Sequence, residues 1–206
     1  MHRKDHWENV YTTKSSEGVS WFQAHANQSL DLIRDTGVAA NAAFIDVGGG
    51  ASTLVDDLLR NHYRAVTVLD LSVAALNAAR ARLGALAAQV CWLEGDITEL
   101  ELPLQAFDVW HDRAVFHFLT TATQRQRYVS QVLHAVKPGG HVIIATFAED
   151  GPLQCSGLPV MRYDPSQLHA EFGSPFTLLR HEREDHRTPF GTVQKFVYCY
   201  CRKQDG

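Results

Sequence analysis

Two periodicities alternate along the chain. Residues 44–47, 65–69, 89–93, 107–111 and 141–147 are short apolar, β-branched runs of the kind that form buried strands. Between them, apolar residues recur three and four positions apart. Leu54, Val55, Leu58 and Leu59 follow the first run, residues 73–83 follow the second and close on Gly84, and residues 124–136 end at Lys137-Pro138-Gly139-Gly140. Alternating strands and helices with short connections imply right-handed crossovers and a parallel sheet covered on both faces. The tail breaks this rhythm. Asp164-Pro165 opens a short helix to Phe172, and residues 176–184 and 193–201 are strand-like runs joined through 188–192, which makes them antiparallel. Before the first strand, Trp21, Phe22, Leu30, Leu32 and Ile33 lead up to Gly37 as a helix ending on a glycine cap. Residues 1–19 are polar yet carry Trp7, Val10 and Tyr11, as a segment that docks onto the rest would. The expected fold is therefore α/β and doubly wound: a mostly parallel seven-stranded sheet, helices on both faces, and a C-terminal antiparallel hairpin.

Composition narrows the partners. At 206 residues, with 45% hydrophobic and 20% charged content, the chain suits one domain, 1–206, with its own core. A net charge of −4 and a pI near 6.2 argue against tracking a phosphate backbone, so no nucleic-acid partner is expected. The longest apolar stretch, 142–148, is too short for a bilayer, and the first residues lack the apolar core of a signal peptide; a cytoplasmic protein without a membrane partner is expected. Cys91, Cys155, Cys199 and Cys201 read as free thiols, and no Cys/His spacing suits zinc, so no metal is expected.

The candidate chemistry gathers at the strand ends, where doubly wound sheets bind ligands. The first strand ends in Asp46-Val47-Gly48-Gly49-Gly50-Ala51-Ser52, a turn in which a backbone without Cβ can approach a ligand closely. The second ends in Asp70-Leu71, twenty residues beyond Gly50, the spacing at which a carboxylate accepts ribose hydroxyls. The third is followed by Glu94-Gly95-Asp96-Ile97, and the fourth ends in Trp110-His111-Asp112-Arg113. A nicotinamide cofactor fits poorly, because Thr53 stands at the third glycine position and Asp46 would sit beside the pyrophosphate. An acid before the glycines suits a cationic ammonium instead.

In these residues the chain resembles the class I, seven-strand S-adenosylmethionine (SAM)-dependent methyltransferases. The likeness spans about residues 40–147 and the terminal hairpin, and it rests on the glycine turn, Asp70, Gly95-Asp96-Ile97, Phe107-Asp108-Val109-Trp110 and the stretch from Leu133 to Gly140. It implies SAM as cofactor. Asp46, Gly48, Gly49, Gly50 and Ser52 would hold its methionine part, Asp70 the ribose, and Leu71, Asp96 and Ile97 the adenine. The backbone at Asp112 and Arg113 would border the methionine moiety. It divides the chain into a lid or helix segment (1–37), a SAM-binding core (40–147) and a C-terminal helix and hairpin (148–206).

The acceptor is less defined: a small molecule or a protein side chain. His117, between Phe116 and Phe118, is the candidate base or substrate contact, against a plainer role as a wall histidine satisfied by a backbone group. Arg113 could bind an acidic substrate group or pair with Asp112. Similar Trp- and Tyr-bearing leaders lid the SAM pocket in relatives that modify protein lysines or small thiols, which makes Trp21 a candidate cofactor contact; ordinary packing is the other reading. Lysine-directed relatives carry Asp-Lys-Gly-Thr where this chain has Asp112-Arg113-Ala114-Val115. The remaining alternatives are a non-catalytic SAM-binding protein and a nicotinamide-dependent oxidoreductase.

Overall fold

Each apolar run becomes one strand of a single sheet. The computed structural model describes residues 3–205. In chain order these form α1 (Arg3–Thr13), α2 (Asn27–Asp35), β1 (Ala43–Val47), α3 (Leu54–Arg60), β2 (Ala65–Asp70), α4 (Val73–Leu83), β3 (Val90–Glu94), β4 (Phe107–Arg113), α5 (Ala122–Ala135) and β5 (Val136–Phe147). A small ribbon of β6 (Gln154–Cys155) and β7 (Leu158–Pro159) follows, then α6 (Pro165–Phe172), β8 (Phe176–Arg187) and β9 (Val193–Lys203). Among these residues the sheet has seven strands in the order β3-β2-β1-β4-β5-β9-β8. The first five are parallel, and β9 runs antiparallel to both β5 and β8. The doubly wound sheet and its terminal hairpin stand as expected from the sequence.

Period-two alternation divides the core. On one face Ile45, Val47 and Trp110 pack with Tyr128 and Val132 of α5 and Leu168 and Phe172 of α6. On the other, Phe44, Val66, Val68 and Val109 pack with Leu32 and Ile33 of α2, Leu54 and Leu58 of α3 and Leu76 of α4. The same alternation decides which way the polar residues at the strand ends face.

Three local features differ from the sequence reading. A capping box between Thr121 and Gln124 starts α5 at Ala122, two residues earlier than expected. Lys137-Pro138-Gly139-Gly140 belongs to β5, which starts at Val136 rather than at residue 141. The Lys137 ammonium donates to Asp108 Oδ2 at 2.8 Å, pinning the stretch to β4 at a register shift that accommodates a proline with no N–H to give. His186, beyond the strand end expected at residue 184, is buried on a longer β8 and bonds the Ser20 carbonyl at 2.8 Å. No helix among the described residues is long and apolar enough to cross a membrane.

Candidate functional site

The strand order reverses between β1 and β4, and their carboxyl ends open a crevice there. β1 runs into Gly48, whose φ of +72° is open to glycine at little cost and whose added Cβ would strike Val115. At Gly49 a Cβ would lie 2.6 Å from Asp46 Cγ, so the turn wraps closely around that carboxylate.

The crevice has two lobes, of about 770 and about 570 Å³ with their open mouths included. Tyr11, Trp21, Val47, Gly48 and Arg113 line both. Asp70, Leu71, Asp96 and Ile97 line the larger lobe; Asp46, Gly49 and Ser52 line the smaller. Asp70 is buried. Its Oδ2 accepts the Gly50 N–H at 3.0 Å and its Oδ1 the Ser72 N–H at 2.8 Å, so Gly50 holds the acid in place without lining either lobe. Ser72, not Asp70, caps α4 by accepting from the Ala75 N–H. Asp96 accepts both donors of Thr98 on one oxygen and the Arg3 guanidinium, at 2.9 Å, on the other. Asp46 Oδ1 meets His111 Nδ1 at 2.7 Å, while its Oδ2 is buried with no hydrogen-bond partner in the structure.

The leader roofs the larger lobe as a helix. Glu8 of α1 accepts from the Ser72 hydroxyl at 2.8 Å and the Ala74 N–H at 3.2 Å, docking α1 onto the start of α4. Trp7 stands edge-on to Trp21 and Phe118, with centroids 5.6 and 5.1 Å away, and Tyr11 lies beside both tryptophans.

Several expectations from the strand-four segment change. The Asp112 carboxylate lines neither lobe. It points to the opposite face and accepts from the Val115 N–H, the Phe116 N–H and the Tyr128 hydroxyl, holding the turn that follows β4. Arg113 does line both lobes but pairs with Glu184 at 3.3 Å rather than with Asp112; it also donates to Tyr198 and to the Trp21 carbonyl, and its guanidinium lies 4.3 Å from the Phe196 ring centroid. His117 is fully buried and absent from both linings, and its Nδ1 accepts the Phe147 N–H at 3.3 Å. Burial, with Arg113 nearby, pushes its pKa down to about 3 and keeps it neutral. The geometry gives it the wall role and no route to a bound acceptor. Residues that received no role from the sequence also build the site: Arg3, Glu8, Ser29, His111 and Glu184.

Burial drives the Asp70 carboxyl up to about 6. As a ribose acceptor, the role the resemblance implies, Asp70 would act in its ionised form, so affinity for S-adenosylhomocysteine (SAH) is expected to weaken as pH falls through 6, by at most about tenfold per pH unit. The linkage to folding has the opposite sign. A carboxyl whose folded pKa lies above its unfolded value costs stability above pH 6, and that cost disappears as pH drops toward 4. Calorimetric titrations with SAH between pH 7.5 and 5 check this; a flat affinity would contradict it.

Known methyltransferases share this fold. Residues 44–140 match the family model described as a methyltransferase domain. The chain is 28% identical over 113 residues to the ubiquinone/menaquinone biosynthesis C-methyltransferase UbiE of Roseobacter denitrificans, a match covering 53% of this chain and 44% of that protein. It thus spans under half the length of the curated relative it matches. In fold it is similar to a structure described for the conversion of a disulfide bond into a thioacetal group during echinomycin biosynthesis (TM-score 0.80, 18% identity, 98% of this chain and 93% of that one). It is also similar to the Burkholderia thailandensis 1,6-didemethyltoxoflavin-N1-methyltransferase, with 1,6-didemethyltoxoflavin and SAH bound (TM-score 0.69, 20% identity, 98% and 84%).

SAM is the cofactor that the resemblance implies, and the residues fit it. The unpartnered Asp46 Oδ2 calls for a donor such as an ammonium, the glycine turn leaves room beside it, and Asp70 offers a buried acceptor in the adjoining lobe. A dinucleotide does not fit. Thr53 replaces the third glycine and is committed to the Gln23 carbonyl at 2.8 Å, and the Asp46 carboxylate would oppose a pyrophosphate.

Proposed function

We propose that this chain transfers the SAM methyl group to a small, largely apolar molecule whose nucleophilic atom needs no deprotonation by the protein. The observation that carries this reading is an aromatic-walled junction between the lobes with no free base among the described residues that line it. Asp46, Asp70 and Asp96 would serve the cofactor. His111 is held between Asp46 and Ser29, and Arg113 is committed to Glu184 and Tyr198. Burial raises the Tyr11 hydroxyl far above its usual range and pushes the Cys155 thiol up to about 12.

Bound SAM supplies an electrophilic methyl on a sulfonium, released in line as a thioether leaves. The protein then has to align the acceptor and exclude water. Asp46 and Asp70 would fix the two ends of the cofactor, which brings its sulfonium to the junction of the lobes. Trp7, Tyr11, Trp21 and Phe118 would shut water out and present apolar and π surfaces to the acceptor. A thiolate, a neutral nitrogen or a stabilised carbanion suits such a site, whereas an alcohol does not. The names of the Roseobacter and Burkholderia relatives, a C- and an N1-methyltransferase of small molecules, support the small-molecule reading. A reducing cytoplasm suits the four free thiols and is the location we propose.

The test supplies methyl-labelled SAM with a cell extract divided by a size filter. Label in the small-molecule fraction is expected. Label confined to protein would overturn the acceptor class, and label in neither fraction would favour a SAM-binding protein without transfer.

A further inference from the structure

His111 and Ser29 form a chain behind Asp46 that the methyl-transfer chemistry does not itself require. Asp46 and His111 are register partners on the adjacent parallel strands β1 and β4, so their side chains emerge on the same face, toward α2. His111 Nδ1 lies 2.7 Å from Asp46 Oδ1, and His111 Nε2 lies 2.8 Å from the Ser29 hydroxyl. All three residues are buried, Ser29 completely. A carboxylate oxygen accepts, so the ring nitrogen facing it carries the hydrogen. With that hydrogen on Nδ1, Nε2 accepts from the Ser29 hydroxyl. The ring is thereby fixed in orientation and tautomer from both ends.

This relay satisfies one oxygen of Asp46 and leaves the other without a partner. Oδ2 is buried and unpartnered, Asp46 lines the smaller lobe, and the Cγ of its carboxyl group lies against the Cα of Gly49 closely enough to forbid any side chain there. Left free, a carboxylate on a strand end could rotate and offer either oxygen, or turn to a backbone donor. Pinned through Oδ1, it presents Oδ2 in one direction.

We infer that Ser29 and His111 are positioning residues that aim Asp46 Oδ2 at the ammonium group of the cofactor's amino-acid end. The inference rests on the SAM reading of the site and assigns a cause to half of it: the cleft grips the amino-acid portion through a relay reaching into α2, and the adenosine portion through Asp70, which shares no hydrogen bond with that relay. Truncating the relay is therefore expected to weaken only ligands that carry the amino-acid end.

The experiment titrates two probes into the full chain by calorimetry: SAH, which has the amino-acid end, and 5′-methylthioadenosine, which lacks it. His111→Leu is expected to weaken SAH binding by about tenfold or more, the scale of a charge-assisted hydrogen bond lost, and to leave 5′-methylthioadenosine within about twofold. His111→Asn, whose amide nitrogen can stand where Nδ1 stood, is expected to recover most of the SAH affinity. Ser29→Ala keeps the ring in place and is expected to give a smaller loss with the same selectivity for SAH, which keeps the test open should His111→Leu fold poorly. Equal loss of both probes, or no loss of SAH in Ser29→Ala and His111→Leu alike, overturns the positioning role. Failure of the wild-type chain to bind either probe would overturn the SAM reading instead.

Discussion

Asp70→Ala is expected to lower SAM affinity by about a hundredfold or more in calorimetric titration. The carboxylate is the buried acceptor at the end of β2, in the lobe that would take the adenosine. Two hydroxyls donating to a charged acceptor contribute about 1.5–3 kcal/mol each, and every 1.4 kcal/mol is a factor of ten. The variant also loses stability, because the Gly50 and Ser72 N–H groups lose their acceptor. Each orphaned donor costs about 1–3 kcal/mol. Relief of the buried charge, whose pKa burial raises to about 6, offsets part of this. Asp70→Asn separates the two effects. It retains one accepting oxygen and the side-chain volume, so its melting temperature should fall less than that of Asp70→Ala. Its amide turns a donor toward either a ribose hydroxyl or a backbone N–H, and affinity should still fall by about tenfold. Wild-type affinity in Asp70→Asn would remove the ribose assignment.

That Asp46, Gly48, Asp70 and Asp96 gather at one cleft was legible in the sequence for a local reason. Each sits at or just beyond the carboxyl end of a strand whose apolar run fixes where it stops, and the ends of neighbouring parallel strands converge. The partners of these residues were not legible, because they lie far along the chain. Arg3 meets Asp96 across 93 positions, Ser29 meets His111 across 82, and Arg113 meets Glu184 across 71. Such contacts depend on which helix crosses which strand, and no local propensity carries that information. The Trp110-His111-Asp112-Arg113 stretch shows the limit most clearly. Its position at the cleft could be read, but which residue faces the cleft depends on register. Asp46 opposite His111 puts the histidine on the cofactor side and turns the acid away, and a slip of one residue would reverse that. The start of β5 was misplaced for a related reason. A proline and two glycines argue against a strand over 137–140, while the Lys137–Asp108 ion pair and the pairing of Val136 with Phe107 carry β5 back through them.

The turn after β4 depends on an acid whose carboxylate lines neither lobe, so Asp112→Ala is expected to damage both fold and activity. Ala114 has φ +76°, a conformation that costs a non-glycine residue about 1–2 kcal/mol and persists only when its surroundings enforce it. Asp112 enforces it from one side by accepting the Val115 and Phe116 N–H groups at 2.8 and 3.0 Å, and the Ala145 carbonyl holds the Ala114 N–H at 2.9 Å from the other. Asp112 also accepts the Tyr128 hydroxyl at 2.6 Å, and that hydroxyl in turn accepts the Trp110 indole N–H at 2.9 Å, tying the turn to α5. Truncation leaves three donors without their acceptor in the core and a void beneath Phe116, for a loss of about 3–5 kcal/mol. In a chain of this length that lowers the melting temperature by about 6–20 °C. Arg113, Ala114, Val115 and Phe118 all line the larger lobe, so the same variant should lose methyl transfer at temperatures where it remains folded. Asp112→Asn keeps the shape and can still accept from the backbone while donating to the tyrosine oxygen; a loss of about 1–2 kcal/mol is expected. Thermal melts and labelled-methyl assays on both variants decide the matter. An Asp112→Ala protein that melts within 2 °C of the wild type would show that the turn holds its shape without the acid.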